Sequence, residues 1–334
     1  MYRSIILFSL VVLASCSSSS TEAEREASSN GYEDRPEVAV FISEMAEEGF
    51  DPEELKSLFA AAKYQQSIVD AISRPAERTL NWASYQDIFL TERRAKAGAE
   101  FVAENLQAFQ RAEAEYGVPI PVIASIIGVE TLYGRITGKY RVIDSLSTLA
   151  FDYPPRSKFF RSELKEFLRL TREEKKSPLD PLGSYAGAMG YGQFISSSYR
   201  NYAVDFDGDG LRDIWNNRVD AIGSVANYLA RHGWQAGDGI TERVSLTGEE
   251  PADVFNVALK PNRSIASLST VGVLVPPSLA QDVQVSPMRL EGKNGDEYWL
   301  GLNNFYVITR YNHSKLYAMA VFQLSERIKA TLAS

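Results

Sequence analysis

Ile123-Ala124-Ser125-Ile126-Ile127-Gly128-Val129-Glu130-Thr131-Leu132-Tyr133-Gly134 is a nearly unbroken apolar run that admits one carboxylate. Read as a helix, it sets Ile123, Ile126 and Ile127 seven, four and three positions before Glu130, on the same face. That face is greasy. A carboxylate there is partly desolvated, which disfavours its charged form and raises its pKa. A carboxyl that keeps its proton near neutral pH can serve as a general acid. The same residue also reads as a helix-end Glu that reaches water past a turn at Gly134. The stretch alone leaves both readings open.

The chain of 334 residues is 45% hydrophobic and 23% charged, the composition of a soluble globular protein. It has room for two domains or one elaborated domain. Its formal net charge of -8 argues against a nucleic-acid partner, which would favour a basic face. The same charge argues against binding anionic lipid through a polybasic patch.

Residues 1–16 stand apart from the fold. Arg3 gives a short positive start, and residues 5–13 are almost wholly apolar. That run is too short to span a bilayer and suits the apolar part of a secretory signal. Leu13-Ala14-Ser15-Cys16 resembles the lipobox of bacterial lipoproteins, in which the chain is cut before the Cys and lipid is attached to it. An ordinary cleaved signal with a chance cysteine is the plainer alternative. Cys16 is the only cysteine, so no intramolecular disulfide forms. Two histidines without a second cysteine argue against a structural zinc site. One acyl chain anchors weakly; mature bacterial lipoproteins generally carry three. Ser17 after the Cys favours, by the same resemblance, a lipid anchor at the periplasmic face of the outer membrane.

Residues 17–34 are rich in Ser, Glu and Ala and read as a flexible tether spanning roughly 20–25 Å. Residues 35–116 carry helical patterns and form an expected helical domain. Val38, Phe41, Ile42 and Met45 share a face, and Asp51-Pro52-Glu53-Glu54 marks a capped helix start. A single long helix is expected over 91–115, with Phe101, Val102, Leu106 and Phe109 inward. Gly117-Val118-Pro119 is a break. Residues 117–238 then alternate helical patterns with loops rich in Gly, Pro and Asp. Prolines between short β-like runs make 239–298 a small β subdomain. Residues 299–334 return to the core; 305–311 are aromatic and β-branched, and 315–329 read as a helix. The fold class is α+β, mainly α.

Two further stretches carry chemistry. Asp205-Phe206-Asp207-Gly208-Asp209-Gly210-Leu211-Arg212-Asp213 sets acidic residues at loop positions 1, 3, 5 and 9 with Gly at 6, the first part of an EF-hand calcium loop. Leu211 offers its backbone carbonyl. Position 12 is Asn216 instead of the bidentate Glu, and Asp220 is the next acidic residue able to close the shell. A turn without metal is the plainer alternative. Gly183 to Phe194 holds four glycines that expose backbone to a close ligand, with the Gln193 amide suited to a sugar hydroxyl or N-acetyl group. Its spacing is not a dinucleotide fingerprint, and neither Ser184 nor the histidines sit in a triad context. Tyrosines cluster in the second half; their apolar faces and polar tips match pyranose rings.

These motifs together resemble the membrane-bound lytic murein transglycosylase B family. The resemblance runs through Glu130-Thr131-Leu132-Tyr133-Gly134, Gly138-Lys139-Tyr140-Arg141-Val142-Ile143-Asp144, Phe151-Asp152-Tyr153-Pro154, the run 187–193, the loop 205–213, the stretch 221–228 and Arg310-Tyr311-Asn312-His313-Ser314. It covers about residues 35–330 in order. It implies a lysozyme-like catalytic core with a helical domain and a small inserted β domain. It also implies cleavage of the β-1,4 bond between N-acetylmuramic acid and N-acetylglucosamine, so that peptidoglycan glycan strands are the partner; cell-wall synthases are further candidates. Glu130 matches the family's single acid/base. Ser184, Gln193, Tyr228, Tyr311, Asn312 and Tyr317 match positions lining the sugar groove, and Arg156 a basic position near the peptide side, beside Pro155 where an Arg often stands. No cofactor is implied for catalysis; calcium in the loop is structural.

Glycosidases that recruit water use two carboxylates. Asp144 and Asp152 are the candidates for a partner to Glu130, yet both are explicable as loop or cap residues. One carboxyl suffices if the muramic C6 hydroxyl closes on C1 to give a 1,6-anhydro sugar, an intramolecular attack of high effective molarity. A hydrolytic muramidase and a silent, calcium-braced peptidoglycan-binding lipoprotein are the alternatives.

Overall fold

The computed structural model describes residues 31–74 and 80–334. Cys16 and most of the expected tether lie outside them. The helical part comprises α1 (Pro36–Ala46), α2 (Pro52–Ala61), α3 (Gln66–Ser73), α4 (Trp82–Phe89), α5 (Glu92–Glu104) and α6 (Leu106–Tyr116). Asp51 caps α2 by accepting the N–H groups of Glu53 and Glu54, with Pro52 in the first turn, where its missing donor does no harm. Phe41 of α1 and Phe59 of α2 meet Phe151 edge-on, which seats these helices on the core.

Two expectations change here. Tyr32 does not belong to a tether: it is buried, and its hydroxyl donates to Asp152 Oδ2 at 2.7 Å. Residues 91–115 form two helices, not one. Asn105 leaves helical geometry (φ -126°, ψ 28°), and its side-chain amide donates to Phe101 O at 2.8 Å, the local bonding by which Asn competes with a helix. The break turns Leu106 outward, where it is 45% exposed instead of packed.

The core continues with α7 (Ile120–Thr131), β1 (Tyr140–Arg141), α8 (Val142–Phe151), a 3₁₀ turn at Pro154–Arg156, α9 (Ser157–Glu173), β2 (Leu182–Gly183), α10 (Ser196–Tyr202) and α11 (Arg218–Arg231). The short β1–β2 ribbon pairs Tyr140 with Gly183 and Arg141 with Leu182. It brings the chain just after Glu130 beside the Gly-rich segment.

The sheet follows: β3 (Thr241–Leu246), β4 (Arg263–Ser264), α12 (Ile265–Ser269), β5 (Val273–Leu274), β6 (Gln284–Gly292) and β7 (Gly295–Gly301), in the order β4-β6-β7-β3-β5 and antiparallel throughout. Alternation along the strands gives it two buried faces. Val244, Val285 and Leu300 close a small core of their own, whereas Met288 and Leu290 join the main core. The sheet runs to Gly301, past the expected limit at 298.

Last come α13 (Asn303–Tyr311) and α14 (Lys315–Leu332). The β-prone run 305–311 is thus helical. Phe305, Val307 and Ile308 are all buried in it, and that packing outweighs local strand preference. α14 lies along α5 and α7, which carries Tyr317 to Glu130. Among the described residues no single helix is long and apolar enough to cross a membrane.

Candidate active site

The central helix α7 is buried on all sides. From Val122 to Thr131 every residue is buried except Glu130, which is half-buried. The helix stops abruptly after it. Leu132 (φ 50°), Tyr133 (φ 59°) and Gly134 (φ 82°) are left-handed in succession, a conformation only the glycine adopts freely. Tyr133 is held there by its hydroxyl, which donates to Arg94 O at 2.9 Å, and by space over Gly98 and Gly128, where an added Cβ would stand 2.5 Å from that hydroxyl. Arg94 also donates to Gly128 O, a carbonyl of the last turn that accepts the Leu132 N–H as well.

The Glu130 Oε1 atom accepts a hydrogen bond from Tyr317 Oη at 2.7 Å. Burial first, and then the neighbouring Glu130 carboxylate, push the Tyr317 and Tyr311 hydroxyls well above the usual tyrosine range. Both therefore stay protonated at any physiological pH and act as donors. Tyr311 donates to Gly192 O at 2.6 Å, and Tyr228 to Arg310 O at 2.6 Å. The Tyr228 hydroxyl is pushed up to about 12, chiefly by burial. Phe194 joins Tyr228 and Tyr311 in one aromatic wall, with centroids 5.7 and 5.8 Å away. The structure thus gathers Glu130, Tyr228, Tyr311 and Tyr317 in a single cluster. Gly192 is small of necessity: a Cβ there would stand 2.7 Å from Tyr311 Oη.

The Gly-rich segment folds back on itself through the bridges Gly183–Met189 and Met189–Phe194. Ser184 Oγ accepts the N–H groups of Ala186 and Ala188, so it pins the turn and keeps its own proton to donate. Gln193 (φ 51°) spends its amide protons on Thr137 O and Gly190 O, at 3.1 and 3.0 Å, which leaves its oxygen to accept. Asn312 ends α13 and is half-buried. Arg156 is exposed and lies over Phe159, 4.3 Å from its centroid. No described contact joins it to the Glu130 cluster.

Asp144 and Asp152 are occupied elsewhere. Asp144 is paired with Arg141 at 2.7 Å and accepts the Lys63 N–H. Asp152 is paired with Arg35 at 2.6 Å and accepts from Tyr32. Both fasten the N-terminal helices to α8.

One oxygen from each of Asp205, Asp207 and Asp209 lies within 4.8 Å of the others. The other expected ligands are placed differently. Asp220 is fully buried and accepts the N–H groups of Phe206 and Asp213 at 2.7 and 2.8 Å; it holds the loop shut from inside and is not one of the converging three. Asp213 accepts the Trp215 and Asn216 N–H groups and Asn216 Nδ2. Leu211 is exposed, and its N–H donates to Asp209. Below the loop runs an alternating chain of charges: Glu48, Arg169, Glu166, Arg200, Glu173, Arg212 and Glu174. It ties α9 and α10 to Arg212 of the loop.

Sequence reasoning missed Thr131. Its hydroxyl shares one proton between Ile127 O and Tyr191 O, at 3.1 and 2.9 Å, and accepts the Gly134 N–H at 3.0 Å. Tyr191 N in turn donates to Ile214 O at 3.0 Å. Thr131, next to Glu130, is therefore linked by two hydrogen bonds through the Gly-rich segment to Ile214, the residue that follows the acidic loop. A Thr next to an isolated Glu is the only sequence signal for this. Thr131→Val leaves buried partners unsatisfied, and a loss of about 1–3 kcal/mol is expected in urea unfolding, with Thr131→Ser restoring most of it.

Residues 33–326 match the family model described as the transglycosylase SLT domain. The chain belongs to the transglycosylase SLT family. It is 42% identical over 307 residues to membrane-bound lytic murein transglycosylase B of Escherichia coli (strain K12), covering 89% of this chain and 84% of that one. Its fold is similar to that of the soluble lytic transglycosylase SltB1 of Pseudomonas aeruginosa (TM-score 0.86, 50% identity, 90% and 100% of the two chains). It is also similar to the Escherichia coli lytic transglycosylase Slt35 in complex with calcium (0.82, 41%, 90% and 95%). A third structure, SltB3 of Pseudomonas aeruginosa, is in complex with NAG-anhNAM-pentapeptide (0.73, 31%, 87% and 78%). The protein is a peptidoglycan lytic transglycosylase with the lysozyme-like fold of that family.

Proposed function

We propose that Glu130 is the enzyme's sole acid and base. It first protonates the glycosidic oxygen between N-acetylmuramic acid and N-acetylglucosamine. Charge developing at C1 is met by the substrate's own N-acetyl oxygen. The ionised Glu130, held by the Tyr317 hydroxyl, then takes the proton of the muramic C6 hydroxyl as that oxygen closes on C1. The leaving sugar gains one proton, Glu130 regains one, and no water is consumed. The observation that carries this reading is Glu130 as the one half-buried position in the otherwise buried run from Val122 to Thr131, bonded to Tyr317. It is supported by Asp144 and Asp152, whose ion pairs remove them as partners, and by the anhydro sugar named in the SltB3 complex. Digestion of purified sacculi tests it: soluble products should carry 1,6-anhydromuramyl ends, one water lighter than hydrolytic products.

Ser184, Gln193, Tyr228, Tyr311 and Asn312 line the glycan groove in this reading, and Arg156 serves the peptide side from a more distant, exposed position. Asp205, Asp207 and Asp209 hold a calcium ion with the Leu211 carbonyl. Three converging hard oxygens suit that ion, and the metal braces the loop without entering the chemistry. Asp213 and Asp220 support the loop from behind. Calcium at about 100 times its Kd should stabilise the fold by about 2.7 kcal/mol, seen as a rise in melting temperature. Asp207→Asn with Asp209→Asn should abolish that rise. Lipid on Cys16 anchors the enzyme at the periplasmic face of the outer membrane, in keeping with the membrane-bound relative; cell-wall synthases are candidate partners there.

A further inference from the structure

A cleft of about 380 Å³ opens beside the Gly-rich segment, lined by Thr137, Lys176, Asp180, Leu182, Trp215 and Asn216. That is the small end of the roughly 300–1,000 Å³ range of ligand pockets. Two of its walls are continuous with the groove. The Thr137 carbonyl accepts the Gln193 amide at 3.1 Å, and Leu182 precedes Gly183 in the ribbon strand β2, with Ser184 next in the chain. The third wall is Trp215. Its backbone N–H donates to Asp213 Oδ1 at 3.0 Å, and its indole N–H donates to Leu182 O at 3.2 Å. The indole also rests against the buried ring of Tyr199, 5.4 Å between centroids. These contacts hold the indole in its place beside the cleft.

The chemistry of the lining is that of a sugar site. Leu182 is 47% exposed and, with the half-buried indole, offers an apolar wall. Asp180 and Asn216 are exposed beside it and offer hydrogen-bonding groups, and the Lys176 ammonium stands 5.2 Å from the indole centroid. An apolar surface ringed by donors and acceptors matches a pyranose bearing an acetamido methyl. A nucleotide or a free anion would call for more cationic groups than one lysine.

We propose that this cleft binds a further N-acetylhexosamine ring of the glycan strand, beyond those held near Ser184 and Gln193, and that Trp215 sets the enzyme's preference for long strands. The proposal rests on the glycan groove described under the proposed function. Its test is KM and kcat on defined peptidoglycan strands of two and of four disaccharides. In the wild type, KM should be about tenfold lower on the longer strands, the effect of one more ring's burial and hydrogen bonds. Trp215→Ala should erase that difference, and Trp215→Phe should keep most of it. Leu182→Arg, at an exposed position, should erase it too by filling the cleft, which covers the case of a poorly folded Trp215→Ala. A wild-type KM independent of length, or length dependence that survives both Trp215→Ala and Leu182→Arg, overturns the subsite. Product masses from the same digests separate this from the underlying reading. Anhydro ends with no length effect sink the subsite alone, whereas products lacking anhydro ends sink the glycan mechanism beneath it.

Discussion

Glu130→Gln is expected to release no measurable 1,6-anhydromuramyl product from sacculi while melting within a degree or two of the wild type. The amide keeps the shape of the side chain and can still meet Tyr317 Oη, now 2.7 Å from the carboxylate. It cannot give up a proton or take one. General acid and general base steps are each worth about 10²–10⁴-fold. In the proposed mechanism one group performs both, so a fall of at least about a thousandfold in kcat is expected. Because the position is only half-buried on a helix whose other residues from Val122 onward are buried, the core does not depend on its charge. A variant retaining a tenth of wild-type turnover would show that another group moves the proton.

Tyr317→Phe should lower kcat by about tenfold to a hundredfold with little change in KM. The lost bond is one to a charged group, worth about 1.5–3 kcal/mol. It matters most when Glu130 is ionised, between the two proton transfers, so its removal affects the barrier more than strand binding. The ring itself is buried, and Phe preserves its packing. A rise in KM at constant kcat would instead make Tyr317 a simple sugar contact.

The sequence made some of this readable because local physics left few choices. Asp51 before Pro52 marks a capped helix start, while the lone carboxylate on an apolar run and the alternate Asp residues around Gly208 each narrow the choice to two readings. What it hid was decided across the chain. Asn105 looks harmless inside an amphipathic pattern until its amide turns back on Phe101. Residues 305–311 prefer strand in isolation, but the core buries Phe305, Val307 and Ile308 around a helix. Tyr32 sits in polar surroundings and is claimed by Asp152, 120 positions away. The same partners explain why Asp144 and Asp152 could be suspected of catalysis: an acidic residue shows its charge in the sequence but not its neighbour. Asp220 reads as a ligand from its charge alone; the structure buries it behind the loop, where it accepts the Phe206 and Asp213 N–H groups, while the carboxylates that converge are those of Asp205, Asp207 and Asp209.

The left-handed elbow at Leu132, Tyr133 and Gly134 bears on endurance. Two side-chain-bearing residues held in that region store about 1–3 kcal/mol each, released as soon as the Tyr133 hydroxyl lets go of Arg94. If this turn relaxes first on warming, activity should fall below the melting temperature, because the turn adjoins the carboxyl proposed to donate the proton; activity and unfolding followed over the same temperature range check this. A hardier descendant would arise by easing positions 132 and 133.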